Sequence, residues 1–151
     1  MLASKLLQRQ HLPFFQKVVS ESPEWQSEEC NEDQLEGYLK RYEMLAGEWC
    51  IWFDDREPIG ITFGVEWVPS NEKAWIGTIL IAESKRRQGY GQAIIGEMVK
   101  NFTNEQHDVL FAGVPIEKLS WIHFLSSCGF EQFKVEEDET KKTFMIMVHP
   151  L

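Results

Sequence analysis

Apolar residues recur along the chain in two rhythms. The first is short and strand-like: Trp49-Cys50-Ile51-Trp52-Phe53, then Ile59 to Trp67, then Trp75 to Ile81, with turn residues at Asp54–Pro58 and Pro69–Glu72 between them. These three runs predict an antiparallel meander. The second rhythm is helical. It joins Phe14, Phe15, Val18 and Val19; then Leu35, Tyr38, Leu39 and Tyr42; then Ile94, Ile95, Met98, Val99 and Phe102; and last Leu119, Ile122 and Leu125. Ser20–Pro23 ends the first of these helices, and Asn31 or Asp33 is placed to cap the second. Between them, 24–32 is polar and acidic and reads as an exposed connection, with Trp25 either anchoring it to the core, the favoured reading, or serving as a lid contact.

Val109–Val114 is continuously apolar, as suits a strand covered on both faces. It follows the Trp75–Ile81 strand through a helix, so the two should be parallel with a right-handed crossover. Gly129 stands where the last helix needs a C-terminal cap. Phe130–Val135 and Thr143–Val148 read as strands about the charged turn 136–142, and residues 2–7 carry a weak strand pattern. The predicted order is β-α-α-β-β-β-α-β-α-β-β, an α/β fold with a mixed sheet.

At 151 residues the chain suits one domain spanning 1–151. No apolar run approaches the ~20 residues a membrane span needs, and no signal peptide is visible. Cys30, Cys50 and Cys128 are too few and too widely spaced for a disulfide frame or a metal set, which points to free thiols in the cytoplasm and to no metal. A net charge of −9 argues against nucleic-acid binding. It is compatible with a cationic amine partner, although acidic residues also simply keep a protein soluble.

One segment changes the picture. Between the Trp75–Ile81 strand and the helix of Ile94 and Met98 lies Arg86-Arg87-Gln88-Gly89-Tyr90-Gly91. A helix start offers free N–H groups and a positive dipole end, two glycines allow close backbone approach, and two arginines add charge. This is chemistry for a diphosphate, or else a basic turn opening a helix. It is neither a dinucleotide fingerprint, since Ile94 stands where a third glycine would, nor a P-loop.

Arg86-x-x-Gly89-x-Gly91, with its strand before and amphipathic helix after, is similar to the coenzyme A loop of the GCN5-related N-acetyltransferases (GNAT). Phe124-Leu125-Ser126-Ser127-Cys128-Gly129-Phe130 resembles a second segment of that family, and the element order matches over nearly the whole chain. The resemblance implies a mixed, mostly antiparallel central sheet with splayed parallel central strands, flanked by helices. It implies acetyl-CoA as co-substrate, no metal, and a small-molecule or peptide amine as acceptor. Many relatives pair as dimers, so a homodimer is allowed. The backbone of Arg87, Gln88, Gly89, Tyr90, Gly91 and Gln92 would hold the pyrophosphate, with Arg86 at the motif's first position and the Arg87 side chain facing the nucleotide's phosphates. Ile79, Leu80, Ile81 and Ala82 would run beside the pantetheine arm, in the gap between the splayed strands. Trp121 and Phe124 would flank the coenzyme.

Two positions depart from the family's habit. Lys118 stands where Asn is common, and Leu125 where a Tyr often protonates the leaving thiolate. Ser126, His123, Tyr90 and Cys128 are the remaining candidates for an acid, with Ser126 taken first. An amine arrives protonated and must lose a proton before it attacks, so a base is needed. Glu66 is the first candidate, and Glu72 the second. Trp67 and Trp75 read as core residues before they read as an aromatic wall for an amine. Leu125 also leaves open a non-catalytic acyl-CoA-binding sensor or interaction module, and the loop by itself would serve a nucleotide-binding regulator.

Overall fold

The computed structural model describes residues 1–43 and 46–151. Among them the strands are β1 (Leu2–Leu6), β2 (Gly47–Asp54), β3 (Glu57–Val65), β4 (Ala74–Ile81), β5 (Val109–Pro115), β6 (Glu131–Glu137) and β7 (Thr143–Pro150). The helices are α1 (Leu12–Ser20), α2 (Pro23–Glu28), α3 (Leu35–Tyr42), α4 (Tyr90–Asn104) and α5 (Leu119–Ser127). The strands hydrogen-bond in the order β1-β2-β3-β4-β5-β7-β6. β1–β2, β2–β3, β5–β7 and β6–β7 are antiparallel, whereas β4 and β5 run parallel over Ala74–Ile76 opposite Leu110–Ala112. The mixed, mostly antiparallel sheet with a parallel central pair is therefore present.

The chain divides into two compact units, Met1–Val65 with Thr78–Ile94, and Glu66–Gly77 with Ile95–Leu151. In the first, α1 buries Phe15, Val18 and Val19 completely, on the stripe its sequence spacing marks. Burial of a side chain such as Phe15 is worth about 1.5–3 kcal/mol. These residues join Leu35, Tyr38, Ile51, Ile61 and Leu80 in one cluster. Aromatic rings dominate it: Tyr38 lies 4.5 Å from Tyr42 and 5.5 Å from Trp25, and Phe15 lies 5.2 Å from Trp49. Asn31 caps the turn leading into α3, accepting from Gln34 N at 3.0 Å while its own N–H donates to Gln34 Oε1 at 3.1 Å.

The acidic connection expected at 24–32 is in part a helix. Pro23 opens α2, with its fixed φ suited to the first turn. The element is only six residues long and buries a single residue, so its pattern is too short to register as periodic. That residue is Trp25, whose Nε1–H donates to Thr78 Oγ1 at 3.4 Å. It is the anchor.

In the second unit Leu110 and Met147 are fully buried, with Ile95, Met98, Ala112, Val114, Ile122 and Leu125 nearly so. Leu119 does not join this face. It begins α5 and is 62% exposed. The far end of α5 closes as its sequence predicts. Gly129 adopts φ +97°, its N–H donates to Ser126 O at 3.2 Å, and Phe130 N donates to Leu125 O at 3.1 Å. That is a Schellman closure, and it turns the buried Phe130 back against the helix end.

Candidate functional site

The glycine loop belongs to the first unit. β4 ends at Ile81, one 3-10 turn follows at Glu83–Lys85, and Arg86 is extended. Arg87 then takes φ +63° and Gly89 φ +83°, and α4 starts at Tyr90. Ala93 N donates to Gly89 O at 3.0 Å. The N–H groups of Tyr90 and Gly91 precede that bond and have no carbonyl one turn back to meet. A Cβ built on Gly89 would find nothing within 4 Å. Free donors, the positive end of a 15-residue helix and open space therefore coincide.

The three basic side chains of the loop differ in their engagement. Lys85 pairs with Glu57 at 2.7 Å. Arg86 donates from Nε to Ile81 O, and from one terminal nitrogen to both Glu21 O and Ser22 Oγ, each at 3.0 Å. Arg87 is exposed and pairs with none of the described residues. Gln88 and Gln92 are exposed, and Gln88 Nε2 donates to Ser84 O at 3.0 Å. The phenol of Tyr90 donates to Asp54 Oδ2 at 2.5 Å. Asp54 also accepts from the Met1 amine at 2.8 Å, and these contacts hold its carboxyl below the usual range, the amine first and Tyr90 second. The same bond to Asp54 pushes the Tyr90 phenol up. A group so held is a poor proton donor near neutral pH.

On β4, Leu80 faces the core, while Ile79 and Ile81 are half-buried. Ala82 is buried, with both backbone groups engaged: its N–H donates to Ile59 O at 2.9 Å and its carbonyl accepts from Lys85 N at 2.8 Å. Ile81 O already accepts from Arg86. Backbone groups expected to face a ligand here are in part satisfied within the fold.

The remaining candidates belong to the second unit. Trp121 and Phe124 are half-buried on α5, and Lys118, just before it, holds Nζ 5.7 Å from the Trp121 ring centroid. Leu125 lies on the buried face of that helix, 6% exposed. Ser126 and His123 point the other way and are exposed. Burial pushes the Cys128 thiol up, against a smaller opposing effect of Ser127. Glu66 lies beyond the end of β3 rather than within it, 62% exposed, with Oε1 3.8 Å from His107 Nε2. Glu66, Glu105 and His107 each bring one ligand-type atom within 4.8 Å of the others. Exposed groups gather this way without an ion as well, and the grouping alone gives Glu66 no role. Glu72 is exposed in the turn at φ +59°.

The two tryptophans expected in the core part company. Trp75 stacks on Phe111 at 5.2 Å and donates to Asn71 Oδ1 at 3.0 Å. Trp67 is 50% exposed, because the strand that was to bury it ends at Val65. Glu21 and Ser22 support the loop and were not foreseen. They lie more than 60 positions from Arg86, and no local pattern joins them.

The profile of the Acetyltransferase (GNAT) family matches residues 10–130. The protein YkzC of Bacillus subtilis (strain 168), itself uncharacterized, is 43% identical over 136 residues, which is 90% of this chain and 95% of that protein. Among solved structures, a spermidine N-acetyltransferase SpeG chimera from Vibrio cholerae and hSSAT superposes with a TM-score of 0.77 at 21% identity, covering 99% of this chain and 95% of that one. A Desulfovibrio desulfuricans protein assigned to the GNAT family of acetyltransferases superposes with a TM-score of 0.79 at 18% identity, covering 99% of both chains.

Proposed function

The chain belongs to the GNAT acetyltransferase family, and we propose that it transfers the acetyl group of acetyl-CoA to a primary amine of a small molecule or peptide. One acyltransferase domain spans 1–151 in this reading. The observation that carries it is the Gly89 turn, whose open space, helix-start N–H groups of Tyr90 and Gly91 and neighbouring exposed Arg87 suit a diphosphate. The backbone from Arg87 to Gly91, with Gln92, holds the pyrophosphate. Ile79 to Ala82 lie along the pantetheine arm, and Trp121 and Phe124 flank the coenzyme.

Acetyl-CoA supplies an activated acyl group with a good leaving thiolate. The neutral amine attacks the carbonyl carbon, the carbon–sulfur bond breaks, and an amide and free coenzyme A result. Glu66 takes the proton that the ammonium must lose, and Ser126 or water returns one to the thiolate. Direct attack is favoured over an acyl-cysteine route. Burial raises the thiol of Cys128 and that of Cys30, and pushes Cys50 up to about 11, so none is poised as a thiolate nucleophile.

A net charge of −9 favours a cationic acceptor. Spermidine is the first amine to try, because structural neighbours act on it by name. The three free thiols fit a reducing cytoplasm, and a homodimer is the assembly to look for. A second reading, a non-catalytic acyl-CoA sensor, is favoured by one observation: the position that in relatives often carries the acid is here a buried leucine, Leu125. Thiol release from acetyl-CoA with a panel of amines, beside a direct coenzyme A titration, decides between them. Turnover with any amine supports the enzyme. Coenzyme binding without turnover on every amine supports the sensor, and no binding of coenzyme A sinks both.

A further inference from the structure

The Arg86 guanidinium is engaged within the protein, on the C-terminal end of α1. One terminal nitrogen meets Glu21 O and Ser22 Oγ, and Nε meets Ile81 O. Ser22 is buried and donates its own proton to Val18 O at 2.7 Å, which leaves the oxygen's lone pairs for the arginine. The last carbonyls of a helix have no intrahelical donor and carry the negative end of its dipole, so a cation there is doubly favoured. A return contact runs the other way: Glu83 N–H donates to Glu21 Oε1 at 3.0 Å, holding the turn that precedes the glycines. Two segments more than 60 residues apart are thus clasped in both directions.

We infer that Arg86 is a positioning residue, which clasps the coenzyme loop to the end of α1 and so is held off the diphosphate, leaving that contact to Arg87 as the proposed function has it. The division of labour follows from geometry. A planar guanidinium can bridge a strand-end carbonyl, a helix-end carbonyl and a hydroxyl at once, and in doing so it fixes the chain on both sides of the turn. Arg87, one residue on and at positive φ, makes no such contact. The assignment to Arg87 rests on the acetyl-CoA reading, whereas the clasp does not.

The test measures coenzyme A affinity across a salt series, together with amide hydrogen exchange at Glu83 and Arg86 in the ligand-free protein. Arg86→Ala and Arg87→Ala should each weaken coenzyme A about tenfold, the scale of one lost charge-assisted bond. Arg87→Ala should flatten the salt dependence. Arg86→Ala should leave its slope at the wild-type value and accelerate exchange at both amides. Arg86→Lys keeps the charge but not the fork, and should not rescue. Ser22→Ala should accelerate exchange in part, and added to Arg86→Ala it should weaken binding no further.

The inference is overturned if Arg86→Ala flattens the salt slope as Arg87→Ala does, if Arg86→Lys restores affinity, or if loop exchange is unmoved in both Arg86→Ala and Ser22→Ala. A wild-type protein that binds no coenzyme A sinks the proposed function and the role of Arg87. The exchange arm then still decides the clasp.

Discussion

Two glycine turns stand at opposite ends of two helices. Gly89 precedes α4 and Gly129 follows α5, and both have positive φ, +83° and +97°. Their surroundings are opposite. A Cβ on Gly89 would meet nothing within 4 Å, whereas one on Gly129 would lie 2.7 Å from His149 Nε2. At Gly129 the helix-end carbonyls of Leu125 and Ser126 are taken up by Phe130 N and Gly129 N. At Gly89 the helix-start donors of Tyr90 and Gly91 find no helical acceptor. The same residue type in the same backbone region thus finishes one helix and leaves the other unfinished. An unfinished end with space before it is where a ligand can complete the structure.

The largest expected effect breaks the open turn alone. Gly89→Glu places a carboxylate where the diphosphate is proposed to sit and a side chain at positive φ. Coenzyme A affinity should fall by about 100-fold or more, taking each opposed charge contact at well over one factor of ten. The fold should survive, with a backbone cost of about 1–2 kcal/mol. Titration of coenzyme A beside thermal denaturation reads both quantities. Unchanged affinity in a folded variant would refute the placement of the coenzyme.

Alanine at each glycine sharpens the contrast. Gly89→Ala has only the backbone to strain and should cost about 1–2 kcal/mol of stability. Gly129→Ala adds the collision with His149, and overpacking of this kind costs about 1–3 kcal/mol more. Coenzyme affinity of the folded fraction should drop in the first variant and hold in the second. His149→Ala should relieve part of the Gly129→Ala penalty and none of the Gly89→Ala penalty, as a double-mutant cycle in denaturant would show. Equal stability losses at the two glycines would erase the distinction between them.

The difference between the turns was only half legible in the sequence. Gly129 could be placed because α5 carries a clear apolar stripe and a helix must stop where its stripe stops. The residues that fix the meaning of each turn come from elsewhere in the chain. His149 packs on Gly129 from 20 positions away, and Ser22 reaches Arg86 from the other end of the first unit. Local pattern records propensity and periodicity, and it is blind to such long-range partners. That is why the sequence places Arg86 in the motif without showing its bonds to Glu21 and Ser22. The same limit hid α2, whose six residues bury only Trp25, and let Glu66 and Trp67 be read as strand residues when β3 stops at Val65. Leu125 shows the reverse case. Its place on the stripe with Ile122 predicted burial, and burial is what the structure gives it.

The smallest expected effect concerns Cys128, the residue just before Gly129. It is the cysteine nearest the packed turn, and its thiol is pushed up by burial first, with Ser127 acting weakly in the opposite sense. A raised pKa leaves less thiolate at neutral pH, and thiolate is the reactive form. Alkylation by iodoacetamide should therefore be slower at Cys128 in the folded protein than in the denatured chain, and should quicken as pH rises through the raised pKa. Gly129→Ala should speed it at constant pH by loosening the turn. If acetyl transfer is direct, Cys128→Ser should leave the turnover number within about twofold, since a surface-scale change of a few tenths of a kcal/mol is all that is lost. A fall of several orders of magnitude, with an acetylated Cys128 seen by mass spectrometry in the wild type, would instead make the packed turn a chemical site, and the contrast between a finished helix end and an open one would no longer separate structure from function.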